Sequence, residues 1–259
     1  MFTVLAIDIG NSNMTMGLFE GSQLLAHWRV STALERTADE LGFLVSGLLR
    51  QRGLEEHSID GVSISSVVPS VMYAVEQMSV TYLKQAPLIV GPGIRTGLGI
   101  KYDNPKEAGS DRIANAVAAI EAYGAPVVIV DFGTAMTFTV VNEHRQYVGG
   151  VIAPGIKISA DALFRRASKL PHIDLQRPPS VIGRNTVTSM QSGLVYGFAG
   201  QVDGIIRRIQ AELGRSVRVI ATGGLADVVS PHSETIEQVD PFLTLNGLRI
   251  IWERNRGAR

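Results

Sequence analysis

The sequence predicts an α/β fold built from two similar halves, and three observations carry that prediction. Apolar, β-branched runs of strand length alternate with longer stretches of helical periodicity along the 259 residues. Two of the strands end alike: AIDIGNSNMT (6–15) and VIVDFGTAMTF (128–138) each run into D-x-G and a pair of small residues before a second strand begins. A third strand follows in both places, so the repeated unit is a strand meander. Duplication of one supersecondary unit accounts for the match.

Residues 2–8, 13–19 and 23–31 read as the first three strands, with Glu20 and Gly21 turning between the last two. Over 37–53, Leu41, Phe43, Leu44, Leu48 and Leu49 fall at helical spacing, with Thr37 as N-cap and Gly53 as stop. Strand 61–68, helix 71–84 and strand 87–90 come next. The Gly- and Pro-rich 91–105 reads as a loop, because it lacks the strand, glycine and helix order of a dinucleotide fingerprint. A helix is expected over 107–122. The second half opens with strands 125–131, 134–141 and 145–153, then helices 155–167 and 185–213. Strand 216–224, a short strand at 235–239 and helix 241–254 close the chain. The boundary is expected near 113–125, giving domains 1–115 and 116–259.

Composition narrows the function. Lys plus Arg and Asp plus Glu both total 24, and a net charge of zero argues against a nucleic-acid or anionic-membrane partner. With no cysteine, disulfides, thiolate nucleophiles and Cys-ligated zinc are excluded. His27, His57, His144, His172 and His232 are scattered without metal-ligand spacing. The N-terminus has no basic region and Asp8 cuts its apolar run short, unlike a signal peptide. No segment approaches the roughly 20 apolar residues of a membrane span. A soluble, cytoplasmic protein is expected.

No Walker-type G-x-x-x-x-G-K-[ST] is present. The two D-x-G turns suggest a different phosphate device: a strand delivers a carboxylate to a turn whose N–H groups and small hydroxyls face an anion. Glycine belongs where a phosphate must approach the backbone, since a Cβ would block it. The carboxylate would repel phosphate, so its sensible role is to hold a cation or its waters, and magnesium suits such sparse ligation beside phosphates. Two plain β-turns are the other reading of either copy alone. ATGGLAD (221–227) either lets a nucleoside lie against the backbone or simply turns a strand into a helix. In KEAGSDRI (106–113), Asp111 could accept a proton from a substrate hydroxyl and Arg112 could clamp an anion. A solvated helix-start Asp with a surface Arg is the plainer alternative. On the long helix, Val187, Met190, Leu194, Phe198, Val202, Ile205, Ile209 and Leu213 form a core stripe. Gly193, Gly197, Gly200 and Gly204 lie on a separate face, where a close inter-subunit or inter-domain contact is expected.

Taken together, D-x-G-N-[ST], GPGI-x-TGL with YDNP-x-E-x-G-x-DR, DFGTA, GGVI-x-PG, IG-x-NT-x-x-SMQSG, TGG and LTL-x-GLR-x-I-x-ERN resemble type III pantothenate kinase. The likeness runs from about Ala6 to Asn255. It implies the acetate kinase, sugar kinase, heat-shock-70 and actin superfamily, with two duplicated ribonuclease-H-like domains and an ATP cleft between them. It implies ATP-dependent phosphorylation of pantothenate to 4′-phosphopantothenate, the first step of coenzyme A synthesis. Asp8, Ile9, Gly10, Asn11, Ser12, Asn13, Met14 and Thr15 match the first phosphate loop, with Asp8 toward magnesium. Gly133 and Thr134 match the second, Gly223 and Gly224 the adenosine-side turn, and Asp131 the ligand of potassium or ammonium. Tyr102, Gly109, Ser110, Asp111 and Arg112 match the pantothenate site, with Asp111 as general base. Thr186 matches a substrate contact supplied at the interface of a homodimer. Three residues depart from the family pattern: Ser110 stands for an alanine, and Met136 and Thr139 stand for a threonine and an aspartate. A Bvg-accessory-factor-like regulatory protein, or another small-molecule kinase of the superfamily, is the alternative.

Overall fold

The computed structural model describes residues 2–54 and 58–257; His57 lies outside them. The chain forms two compact units, Met1–Leu98 with Tyr102–Ala118 and Leu243–Arg259, and Gly99–Lys101 with Ala119–Phe242.

The first unit is a five-stranded sheet in the order β3-β2-β1-β4-β5. Its strands are β1 (Thr3–Ile9), β2 (Asn13–Glu20), β3 (Gln23–Ser31), β4 (Gly61–Ser66) and β5 (Leu88–Ile89). The first three are antiparallel, while β4 runs parallel to β1 and β5 parallel to β4. Side chains alternate along β1. Leu5, Ile7 and Ile9 join Leu41, Val45 and Leu49 of α1 (Ala38–Arg50) and Val75 and Met78 of α2 (Met72–Tyr82) in one core cluster. Val4 and Ala6, on the other face, are equally buried. Cover on both faces is why β1 reads as an unbroken apolar run rather than an alternating one. Thr37 caps α1 as expected, in a reciprocal capping box with Glu40.

The second unit repeats this plan. It contains β6 (Gly99–Ile100), β7 (Val127–Phe132), β8 (Ala135–Val141), β9 (Gln146–Pro154), β10 (Arg218–Thr222) and β11 (Gln238–Val239), ordered β11-β10-β7-β8-β9-β6. The order β9-β8-β7-β10-β11 mirrors β3-β2-β1-β4-β5, with the same strand directions throughout. Even the irregularities correspond. The register shifts between Leu18 and Phe19 in one meander and between Val140 and Val141 in the other, three residues beyond Thr15 and Thr137 respectively. The second turn is one residue shorter, so Asp8 pairs with Thr15 where Asp131 pairs with Thr137. The ungapped match of Asn11-Ser12 with Thr134-Ala135 therefore ends within the turn. Val128, Val130 and Phe132 pack with Met136, Phe138, and residues of α4 (Ile156–Arg166), α5 (Thr186–Leu213) and α6 (Ala226–Val229).

Four local readings change. The loop 91–105 contains β6, which pairs with β9. The helix expected from 107 begins later, as α3 (Ser110–Tyr123), because Pro105–Glu107 forms a separate 3₁₀ turn capped by Asn104. Val187 is 41% exposed and leaves the core stripe. Among the described residues, no heavy atom beyond the helix's own neighbouring backbone lies within 4 Å of a Cβ built on Gly193, Gly197 or Gly200, so the inter-domain contact expected on that face is not formed there, while Gly204 meets only Arg208 of the same helix at 3.4 Å.

A boundary at 115/116 would put the last helix, α7 (Leu243–Asn255), with the second half; it belongs instead to the first unit. There it covers the face opposite α1 and α2. A Cβ on Gly61 would fall inside the Trp252 indole, and one on Gly247 inside the Ala114 backbone. The closing ERN then clasps the glycine-rich loop. Asn255 accepts from the Arg95 N–H at 3.1 Å and donates to the Arg95 carbonyl at 2.9 Å, while Arg254 donates to the Thr96 carbonyl. Among the described residues no helix is long and apolar enough to cross a membrane.

Candidate active site

Asp8 is the penultimate residue of β1, half-buried, and it sits in register between Thr15 of β2 and Ser65 of β4. The Ser65 hydroxyl donates to Asp8 Oδ1 at 2.6 Å. The chain then turns sharply, with the Gly10 N–H bonded to the Asn13 carbonyl at 3.0 Å. Thr32, just beyond β3, holds the turn from behind: its hydroxyl donates to the Gly10 carbonyl at 2.7 Å and its N–H to the Ser12 carbonyl at 3.1 Å. Asn11, Ser12 and Asn13 are exposed, whereas Ile9 and Met14 are buried in the core. Those two can therefore offer a ligand only their backbone.

The Asp111 segment belongs to the same end of the same sheet. Ser110 begins α3, and its hydroxyl accepts from the Ser66 N–H at 3.1 Å and donates to the Ser66 carbonyl at 3.3 Å. Ser66 follows Ser65, the residue bonded to Asp8, so one strand end ties both carboxylate-bearing segments together. Asp111 folds back over Gly109, where a Cβ would stand 2.5 Å from its Oδ1. A side chain at 109 would have to displace the Asp111 carboxylate. Arg112 is only 7% exposed, which removes the surface-arginine reading. Tyr102 is half-buried in the loop before the 3₁₀ turn, whose shape Asn104 fixes by donating to Glu107 Oε1 at 2.8 Å.

In the second unit Asp131 takes the place of Asp8, in register between Thr137 and Thr222. Each carboxylate is thus flanked by two hydroxyl residues on neighbouring strands. Gly223 has φ +94°, and a Cβ there would lie 2.5 Å from Asp131 Oδ1 and 2.7 Å from the Phe132 nitrogen. Gly223 is therefore packed against Asp131, next to exposed Gly224. The exposed Gly133 and Thr134 rest on Gly155, the N-cap of α4, where a Cβ would overlap the Thr134 carbonyl. Thr186 is exposed at the first residue of α5.

Of the departures, Met136 is fully buried and Thr139 is 1% exposed, so neither side chain is presented to a ligand. Met136 lies in the cluster beneath the sheet. Sequence reasoning missed Thr32, Ser65, Thr222 and Gly155. Gly155 and Thr222 carried a signal, in the PG of GGVI-x-PG and the T of TGG; Thr32 and Ser65 are found only through strand pairing and tertiary hydrogen bonds. No group of three or more His, Asp or Glu residues gathers as a metal cage among the described residues.

Two sheets of one topology, each with a carboxylate at the end of its first strand, define an actin-like ATPase-type fold. Its solved relatives agree. The activator of 2-hydroxyisocaproyl-CoA dehydratase from Clostridium difficile, with bound ADPNP, superimposes with TM-score 0.61 at 12% identity, covering 99% of this chain and 97% of that one. A putative Baf family transcriptional activator from Campylobacter jejuni gives 0.60 at 18% identity, covering 98% and 99%. Such identities speak for the fold alone. Residues 4–208 match the family model of type III pantothenate kinase. Type III pantothenate kinases from Geobacillus kaustophilus (strain HTA426) and Geobacillus sp. (strain WCH70) are each 53% identical over 252 residues, covering 97% of this chain and 98% of theirs. The chain belongs to the type III pantothenate kinase family.

Proposed function

We infer that the protein transfers the γ-phosphoryl group of ATP to the primary hydroxyl of pantothenate, yielding 4′-phosphopantothenate and ADP. The observation that carries this reading is kinship at 53% identity along nearly the whole chain. The pairing of Asp8 with Ser65, and of the neighbouring Ser66 with Ser110, the residue before Asp111, supports it.

Asp111 orients the pantothenate hydroxyl and takes its proton as the oxygen attacks the γ-phosphorus. The bond from that phosphorus to the β,γ-bridging oxygen breaks, and ADP leaves. Positioning and charge stabilisation supply most of the acceleration in such transfers. Arg112 anchors an anionic part of the substrate, and its burial strengthens that attraction over a water-exposed one. Tyr102, Gly109 and Ser110 shape the pantothenate site. Backbone N–H groups of Asp8–Thr15, together with Gly133 and Thr134, bind phosphate oxygens. Gly223 and Gly224 lie toward the adenosine.

A single half-buried carboxylate beside hydroxyls fits magnesium, which keeps most of its waters and leans on phosphate oxygens rather than a protein cage. When bound through Asp8, it neutralises charge on the β- and γ-phosphates. Asp131, with Thr137 and Thr222 in register beside it, offers the all-oxygen surroundings suited to potassium or ammonium. A homodimer, with Thr186 at its interface, accounts for the bare Gly193–Gly197–Gly200 face and for Val181 and Ile182, 64% and 81% exposed. The cytoplasm, where ATP is plentiful, is the place for this chemistry.

A coupled assay of ADP release decides the reading. We expect release only with ATP and pantothenate together, stimulated by potassium. Equal release without pantothenate, or faster release with a sugar, would overturn it.

A further inference from the structure

We infer that Thr32 is a positioning residue that sets the first phosphate turn open for its ligand. Thr32 carries no functional motif and lies outside the D-x-G-N-S segment, yet it makes two bonds to that segment from one residue. Its hydroxyl donates to the Gly10 carbonyl at 2.7 Å, and its N–H donates to the Ser12 carbonyl at 3.1 Å.

The two bonds differ in kind. The N–H bond extends the β2–β3 ladder by one rung beyond the Asn13–Ser31 pair, and any residue but proline could make it. The hydroxyl bond lies outside the ladder and needs this side chain. In a planar trans peptide the carbonyl and the following N–H point to opposite sides. Holding the Gly10 carbonyl toward Thr32 therefore aims the Asn11 N–H away from it, and holding the Ser12 carbonyl does the same for the Asn13 N–H. One residue thus orients two donors.

There is also a competing geometry. Gly10 to Asn13 spans four residues, and the usual closure of such a turn is a bond from the last N–H to the first carbonyl. The Thr32 hydroxyl takes one of that carbonyl's two lone pairs and turns the carbonyl toward Thr32, and so competes with a closure that would consume the Asn13 N–H. Orienting donors before the ligand arrives lowers the cost of binding.

The inference rests on the reading that residues 8–15 receive ATP phosphates, and the test separates the two. Thr32→Val keeps shape and N–H but removes the hydroxyl; Thr32→Ser restores it; Gly10→Val disrupts the turn itself, since its Cβ would stand 3.2 Å from the Asn13 carbonyl oxygen. Affinity for the magnesium complex of AMP-PNP is measured by calorimetry, beside the KM for pantothenate and the melting temperature. We expect Thr32→Val to weaken AMP-PNP binding about tenfold, with pantothenate KM within twofold, and Thr32→Ser to bind within threefold of the parent. If Gly10→Val weakens binding and Thr32→Val does not, Thr32 has no such role and the turn keeps its own. If neither weakens binding, the turn does not hold nucleotide phosphates and both readings fall. If Thr32→Val weakens AMP-PNP and pantothenate equally in step with a lower melting temperature, Thr32 is merely structural.

Discussion

The Ser110 hydroxyl lies between the two polar backbone groups of Ser66, accepting from its N–H at 3.1 Å and donating to its carbonyl at 3.3 Å. A position where the family pattern has alanine thereby becomes a clip between the start of α3 and the end of β4. Each hydrogen bond of this kind is worth about 1 kcal/mol net. Ser110→Ala should cost about 1–2 kcal/mol and lower the melting temperature by about 2–6 °C. Because alanine fits the family pattern, turnover should fall no more than a few-fold. Thermal unfolding and steady-state kinetics check both; an unchanged melting temperature would mean that the clip contributes nothing.

Asp111→Asn should reduce kcat by about 10²- to 10⁴-fold, since the amide cannot take the substrate proton. Affinity for AMP-PNP should stay within about threefold, because neither phosphate turn contains this residue. Single-turnover kinetics with calorimetry separate the two quantities. Turnover near that of the parent would remove Asp111 from the base role.

Gly223→Ala meets two obstacles. The backbone φ of +94° disfavours any side chain, and the new methyl would stand 2.5 Å from Asp131 Oδ1. We expect destabilisation by about 1–3 kcal/mol and a several-fold higher potassium requirement, as Asp131 is pushed aside. Denaturant titration and activity against potassium concentration report the two effects. A potassium dependence identical to the parent's would separate Gly223 from the proposed cation site.

Asp203, only 6% exposed on α5, anchors the loop before β11. It accepts from the Ser233 hydroxyl at 2.6 Å, the Glu234 N–H at 3.0 Å, and the Thr235 N–H and hydroxyl at 3.1 and 2.8 Å. Burial pushes its pKa up, but these donors together outweigh burial and hold it below the usual carboxylate value. A depressed folded-state pKa adds stability above the unfolded value near 3.9, and that stability is lost as pH falls through the folded value. Asp203→Ala should therefore cost about 3 kcal/mol at pH 7, with the gap to the parent narrowing below about pH 4. Urea unfolding across that range measures it; a gap that stays constant with pH would contradict the linkage.

Gly197→Leu tests the bare face of α5. Interior glycines cost a helix about 1 kcal/mol each relative to alanine, so a row of them calls for a compensating contact. Since nothing among the described residues lies within 4 Å of that position, leucine should leave the isolated fold intact while dissociating the proposed dimer. Sedimentation velocity distinguishes the outcomes. An unchanged oligomeric state would place the interface elsewhere.

Much of the fold was legible in the sequence because it is written in local patterns. The D-x-G turns, the Thr37 cap and the duplicated meander follow from strand periodicity and turn chemistry within a few residues. Gly109, Ser110, Asp111 and Arg112 stood out as a segment for the same reason. Other residues have meaning only through pairing across the chain. Ser65 is an ordinary strand serine until β4 lies beside β1 and brings it to Asp8. Arg112 looks like a surface residue until α3 packs and buries it.

By itself, then, the sequence determined the two-fold plan, the turns that end β1 and β7, and the family to which they belong. Those features depend on spacings a chain cannot hide. Only the tertiary structure decided that α7 returns to the first unit, since a sheet buried on both faces recruits its cover from wherever the chain supplies an apolar helix. It alone turned Met136 into core, tied Ser110 to Ser66, and set Thr32 behind the Gly10–Asn13 turn. Those outcomes rest on contacts between residues far apart along the chain, and local propensity does not encode which distant groups will meet.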